Sequence, residues 1–160
     1  MNLPRGGNME TTFESRSEVL LEEKRIKNRF FNLTVPIGRF LFSLIFIISG
    51  FNHFTSGSVS YADSMGLPLA DFLVPISGLM AIVGGLSLLI GLHAKAGGIL
   101  LLLFLVPVTL IMHNFWRTQD PIEAQMQLIH FLKNTALIGG IILIIFFGGG
   151  PFSLDNRKKK

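Results

Sequence analysis

The sequence contains no cysteine. This absence excludes disulfides, an iron–sulfur cluster held by this chain, thiolate-ligated haem and a cysteine nucleophile. Any thiol or sulfur redox chemistry linked to the protein would therefore take place on a partner or a substrate.

Charged residues are also scarce, and they are unevenly placed. Asp, Glu, Lys and Arg make up 15% of the 160 residues, and four long stretches contain none of them: 41–62, 72–92, 96–112 and 134–154. Uncharged apolar runs of roughly 20 residues are typical of transmembrane helices. The hydrophobic fraction of 49% would also suit a soluble domain, but this distribution predicts an all-α polytopic membrane protein.

The charge pattern divides the chain into three parts. We predict an N-terminal tail over residues 1–34, a membrane domain over 35–155 and a basic tail over 156–160. The membrane domain is predicted to be a four-transmembrane-helix bundle, with spans over residues 35–53, 70–92, 96–113 and 128–147.

The N-terminal tail contains a segment with helical periodicity over residues 17–31. Val19, Ile26 and Phe30 fall on one face, and Lys24 and Lys27 lie among several other basic residues before the first span. This pattern predicts a cytoplasmic amphipathic helix on the inner membrane surface. The alternative is a solvated tail that only sets the topology.

The basic residues predict the orientation of the chain. The N-tail, the 93–95 loop and the C-tail carry 11 Lys and Arg, whereas the other two loops carry only Arg117. The positive-inside rule then places both termini in the cytoplasm, with the lipid bilayer around the predicted spans. No folded basic surface is predicted, so nucleic acid is not an expected partner.

Polar residues collect at the ends of the spans that face outward in this topology. They are Asn52, His53, Asp71, His113, Asn114, Trp116, His130, Lys133 and Asn134. Such groups are candidates for proton exchange or ligand binding. The alternative is that they meet lipid headgroups, with Trp116 as an interfacial anchor. No histidine pair has metal-ligand spacing, so no metal site is predicted.

Two charged residues lie at the opposite, inner level. Arg39 is about one turn inside the first span, and Asp155 follows the last span. A charge at this depth must snorkel or be paired. We therefore predict an Arg39–Asp155 ion pair that joins the first and last helices, and we interpret it as structural.

Small residues recur every four positions in two of the spans. Ser77, Ala81 and Gly85 do so in the second, and Gly139 and Gly140 follow Thr135 and Ala136 in the fourth. Such spacing lets helix backbones approach closely. It predicts helix packing within the bundle and is compatible with a homodimer.

Several short motifs, in their order and spacing, resemble the DoxX family of membrane proteins. They are Arg39 followed by an apolar run and Ser49-Gly50-Phe51-Asn52-His53-Phe54, Gly84-Gly85-Leu86-Ser87-Leu88-Leu89-Ile90-Gly91-Leu92, His113-Asn114-Phe115-Trp116, Phe131-Leu132-Lys133-Asn134 with Ile138-Gly139-Gly140, and Gly150-Pro151-Phe152-Ser153-Leu154-Asp155. The resemblance covers residues 35–155. Members often carry an acidic residue at the position of Ala81 and a lysine near that of His53.

The resemblance implies a four-helix inner-membrane protein associated with a membrane oxidoreductase, in some members a quinone-reducing one. The first hypothesis is thus a membrane subunit or anchor of a redox system, with quinone or another small lipophilic molecule as its ligand and a soluble or membrane redox partner. The alternatives are a small-molecule transporter or permeation protein, and a ligand-free scaffold for a membrane complex. The sequence alone identifies no cofactor and no catalytic residue.

Overall fold

The computed structural model describes residues 9–157, and they are almost entirely helical. The helices are α1 (Met9–Asn52), α2 (Ser56–Ser64), α3 (Ala70–Ile90), α4 (Ala94–Met112), α5 (Pro121–Phe147) and α6 (Leu154–Arg157), with a 3-10 turn at Phe115–Arg117. Among the described residues, four helices (α1, α3, α4 and α5) are long and apolar enough to cross a membrane. The predicted four-span, all-α architecture is therefore confirmed. Most of the basic tail lies outside the described residues.

Helix α1 is much longer than a bilayer requires. Its 44 residues extend about 66 Å at 1.5 Å per residue, about twice the thickness of a hydrocarbon core. The helix passes through Pro36, so the predicted amphipathic segment and the first span are one continuous helix. Val19, Ile26 and Phe30 are exposed. The position of this segment on the membrane surface remains a prediction.

Capping side chains explain two departures from the predicted boundaries. The loop over residues 54–69 contains α2, whose first turn is capped by the Thr55 hydroxyl accepting from Ser58 N–H. Helix α5 begins at Pro121, seven residues before the predicted Leu128. Asp120 accepts hydrogen bonds from the backbone N–H groups of Ile122 and Glu123. Such caps start helices in polar segments, where hydrophobic periodicity gives no signal.

The spanning helices pack in chain order, α1 against α3, α3 against α4 and α4 against α5. Glycines allow the closest approach, because a Cβ atom on Gly78 would lie only 2.7 Å from the carbonyl oxygen of Gly50. In the predicted small-residue row of α3, Ala81 is fully buried and Gly85 faces Ile47 of α1. On α5, by contrast, a Cβ atom on Gly139 would meet open space.

A buried arginine ties α1 to the C-terminal segment. Arg39 is 7% exposed, and its guanidinium donates hydrogen bonds to the carbonyl oxygens of Gly149 (2.7 Å) and Phe152 (3.3 Å). The Asp155 carboxylate acts on Arg39 electrostatically. Arg39 thus holds the turn that follows α5 against α1. A direct Arg39–Asp155 ion pair stays a prediction.

Asp155 also caps the N-terminus of α4. Its two carboxylate oxygens accept from the backbone N–H groups of His93 (2.8 Å) and Ala94 (3.0 Å), while its own N–H donates to Gly91 O (3.0 Å). A carboxylate at this position satisfies N–H groups that lack a partner in the helix and favours the helix dipole. This cap extends α4 two residues beyond the predicted start at Ala96.

The glycine crossing predicts a sharp contrast between two alanine variants. Gly78→Ala would force a Cβ atom against the backbone of Gly50 and the Cβ atom of His53, so it should lower the free energy of unfolding by about 1–3 kcal/mol. Gly139→Ala, in a helix with open space around it, should be neutral or slightly stabilising. Unfolding of both variants in detergent micelles measures the difference. Equal stability would contradict the packing described here.

The Asp155 cap predicts a second stability difference. Asp155→Asn keeps one acceptor but removes the negative charge from the start of α4, and we expect a loss of about 1–2 kcal/mol. Asp63→Asn is the matched control, because Asp63 is exposed on α2. Thermal unfolding in the same detergent provides the comparison, and an unchanged midpoint for Asp155→Asn would show that the cap contributes little.

Candidate ligand-binding site

A cavity of about 560 Å³ lies in the half of the bundle that is distant from the chain termini. It is bordered by the end of α1, the start of α3, the end of α4 and the first half of α5, and residues of α2 complete its wall. Its lining is mainly apolar and includes Phe46, Met80 and Phe104. This size and this composition are usual for pockets that bind small molecules.

Four of the nine predicted polar residues line the cavity. They are His53, His113, Lys133 and Asn134. His53 follows α1, His113 follows α4, and Lys133 and Asn134 lie in α5, so the fold brings together side chains that are far apart in sequence. Ser49 and Ser77 add two hydroxyl groups to the lining, of which the Ser77 hydroxyl donates to Val74 O at 2.7 Å.

Two polar groups in this lining lack a partner in the protein. The Asn134 side chain is only 4% exposed and makes no hydrogen bond to any residue that the structure describes. Within the same residues, the Nδ1 atom of His53 is buried without a partner. A buried polar group without a hydrogen bond costs roughly 1–3 kcal/mol, so native proteins rarely leave one unsatisfied. A molecule inside the cavity would supply the missing partner.

A chain of hydrogen bonds connects the cavity to α2. His113 Nδ1 lies 2.8 Å from Gln127 Oε1, and Gln127 Nε2 donates to the Tyr61 hydroxyl at 3.1 Å. The His113 ring stacks on His130, with ring centroids 5.1 Å apart. These contacts hold His113 from two sides.

Gln127 and Tyr61 were missed by the sequence analysis. Gln127 lies three residues before His130 and seven before Asn134, so the three residues share one face of a helix. This spacing indicates a role for Gln127 only if α5 begins at Pro121, as it does in the structure. Tyr61 is the one tyrosine of the chain. Its contact with Gln127 spans 66 residues and has no local signal.

The other five predicted residues lie outside the cavity lining. Asn52 and Asp71 are exposed, and Asn114 donates to Ile111 O at 3.0 Å. Trp116 is 53% exposed, and its ring contacts the rings of Phe115 and Phe131. His130 touches the site only through His113. The location of Trp116 suits an interfacial anchor, which was the alternative interpretation for the whole cluster.

Comparison with known proteins yields a family and several relatives. The DoxX family model matches residues 34–114. Inner membrane protein YphA of Escherichia coli is 30% identical over 124 residues, which cover 76% of this chain and 87% of that protein. Inner membrane protein YqjF of the same organism is 27% identical over 128 residues, covering 79% and 92%. No solved structure matches the chain.

A shorter match links the chain to a eukaryotic protein. The ER-derived vesicles protein ERV29 of Saccharomyces cerevisiae is 29% identical over 80 residues, which are 50% of this chain and 26% of that protein. The two bacterial relatives are matched over most of their length, and both are inner membrane proteins by name. With its four helices suited to crossing a bilayer, the chain belongs to the DoxX family and is an integral inner membrane protein.

Proposed function

We propose that this protein binds a small lipophilic molecule with a polar head group, a quinone, and serves as a membrane subunit or anchor of a redox system. One observation carries the proposal. Asn134, buried in an apolar cavity, has no hydrogen-bond partner among the described residues. A polar group within a membrane bundle is a candidate for function unless it is paired.

The lining matches the two parts of such a ligand. Apolar side chains such as Phe46, Phe104 and Met80 would contact a ring and its aliphatic tail. Asn134, His53 and His113 would hydrogen-bond the oxygen atoms of the head group. Quinone as the class follows from the resemblance to DoxX proteins, because the cavity geometry alone would accept other lipophilic molecules of this size.

Because the chain contains no cysteine, we propose that the redox chemistry takes place on the ligand and on a partner protein. No residue of this chain is proposed as an electron carrier. Side chains at the site would bind the head group and exchange protons with it, and histidine is suited to this near neutral pH. A soluble or membrane oxidoreductase would supply or remove the electrons.

The geometry favours binding over permeation. Between the cavity and the inner end of the bundle, Leu88, Leu101 and Ile141 are fully buried and packed together. These side chains fill the space that a continuous path would need. A ligand-free scaffold, the other alternative, would give no role to the cavity or to the unpaired Asn134.

Replacing the unpaired amide tests the site. Asn134→Leu keeps a side chain branched at Cγ but removes both hydrogen-bonding groups, so quinone co-purifying with the protein should fall about tenfold or more. The stability of the ligand-free protein should change little, because the Asn134 side chain makes no hydrogen bond to the described residues that the substitution would remove. Asn52→Leu, on the exposed end of α1, is the matched control and should retain the ligand. Chromatography and mass spectrometry of lipid extracts measure the quinone.

Three results would decide between the hypotheses. Quinone absent from the unmodified protein, or equally abundant in the Asn134→Leu variant, would refute binding at this site. Solute flux through proteoliposomes would favour the transporter. Normal activity of the membrane complex after triple substitution of His53, His113 and His130 by alanine would favour the scaffold.

The proposal includes an orientation, with both termini in the cytoplasm and the cavity in the outer half of the bilayer. The cysteine-free sequence suits labelling of single introduced thiols. Ser64→Cys, at the end of α2, should react with a membrane-impermeant maleimide in intact spheroplasts. Lys95→Cys, in the first turn of α4, should react only after permeabilisation. The reverse pattern would invert the topology.

A further inference from the structure

We propose that Gln127 fixes the neutral tautomer of His113, so that the cavity presents a hydrogen-bond acceptor and selects a hydroxyl-bearing ligand over its carbonyl counterpart. This inference rests on the proposed function and names the form of the ligand, which is the quinol or another phenol.

The two hydrogen bonds of the Gln127 amide indicate which tautomer His113 adopts. A glutamine amide has one accepting end and one donating end. The donating Nε2 of Gln127 faces the Tyr61 hydroxyl at 3.1 Å, and the accepting Oε1 faces His113 Nδ1 at 2.8 Å. Because an amide oxygen cannot donate, the hydrogen of this contact belongs to His113 Nδ1.

The second ring nitrogen of His113 then determines what the cavity offers. A neutral imidazole has one N–H group and one accepting nitrogen, so Nε2 is the acceptor. No described residue hydrogen-bonds to this atom, and His113 lines the cavity. A ligand hydroxyl would donate to Nε2, whereas a carbonyl oxygen would place its lone pairs against the lone pair of the ring.

Asn134 does not cancel this preference. Its amide both donates and accepts, so it can satisfy either form of the head group. Lys133 and His53 also line the cavity, but an ammonium or a ring N–H can donate to a hydroxyl oxygen as well as to a carbonyl oxygen. Discrimination therefore depends on His113, and we expect the hydroxyl form to bind about tenfold more tightly, as for one buried hydrogen bond. Gln127 and Tyr61 are positioning residues, because they act on the ligand only through His113.

The tautomer can be observed without any ligand. In protein labelled with ¹⁵N-histidine and reconstituted in nanodiscs, the ring nitrogen shifts of His113 should report hydrogen at Nδ1, with the signal assigned by its loss in His113→Asn. Gln127→Leu should move the signal toward the Nε2–H form. The matched control Gln125→Leu, an exposed glutamine of the same helix, should leave it unchanged. An Nε2–H tautomer in the unmodified protein would overturn the proposal.

Ligand selection is tested with a redox-inert pair of probes, an alkylphenol and its methyl ether. The unmodified protein should favour the phenol about tenfold. The Gln127→Leu variant should bind the two with nearly equal affinity, whereas Tyr61→Phe, which keeps the amide but frees its orientation, should give an intermediate ratio. Titration in nanodiscs measures both affinities.

Failure of this inference can be separated from failure of the proposed function. Equal binding of both probes to the unmodified protein would refute selection by His113 while leaving a ligand site in place. If neither probe nor a short-chain quinone binds, the proposed function fails and selection fails with it. The tautomer measured by NMR is independent of either result.

Discussion

The constraint that shapes this protein is that polar groups inside a bilayer must find their partners within the protein or in a molecule bound to it. At the end of the bundle where Arg39 and Asp155 lie, the constraint is largely met by the chain itself. Arg39 donates to two backbone carbonyls, and the Asp155 carboxylate accepts from two backbone N–H groups. At the opposite end, beside the cavity, His53 Nδ1 is buried without a partner among the described residues, and the Asn134 side chain, 4% exposed, makes no hydrogen bond to them. The cavity that His53 and Asn134 border, rather than any sequence motif, locates the candidate site.

Arg39 Nε and Ser43 Oγ are also buried without a partner among residues 9–157. They differ from Asn134 in their surroundings. Arg39 and Ser43 are four residues apart, one turn along α1, where a single bridging water can satisfy both groups. Asn134 borders a space of about 560 Å³, which is many times the volume of one water molecule. One water molecule would meet this requirement at the Arg39 end, whereas the larger space beside Asn134 has room for a ligand.

The membrane fold was predictable because hydropathy and charge act over whole segments. Twenty residues without a charge indicate a span whatever their order, and all four spans were found in this way. Helix α2 and the true start of α5 were not predicted, because each depends on a single capping side chain. Thr55 caps α2 inside a loop rich in serine and glycine, and Asp120 starts α5 well before its apolar stretch. Hydropathy averaged over a whole segment does not detect such caps.

The sequence predicted the depth along the spans at which the site lies, but not which side chains form it. Sequence reasoning placed nine polar residues at the outer ends of the spans, but which of them face inward depends on the rotation of each helix. That rotation is set by contacts such as the crossing of Gly50 and Gly78. Asn52 and His53 are adjacent in sequence, yet one is exposed and the other borders the cavity. Because Gln127 reaches Tyr61 across 66 residues, the contact that orients His113 exists only in the folded bundle. The chemistry proposed for the cavity therefore depends on tertiary packing, whereas the presence of the bundle depends on composition.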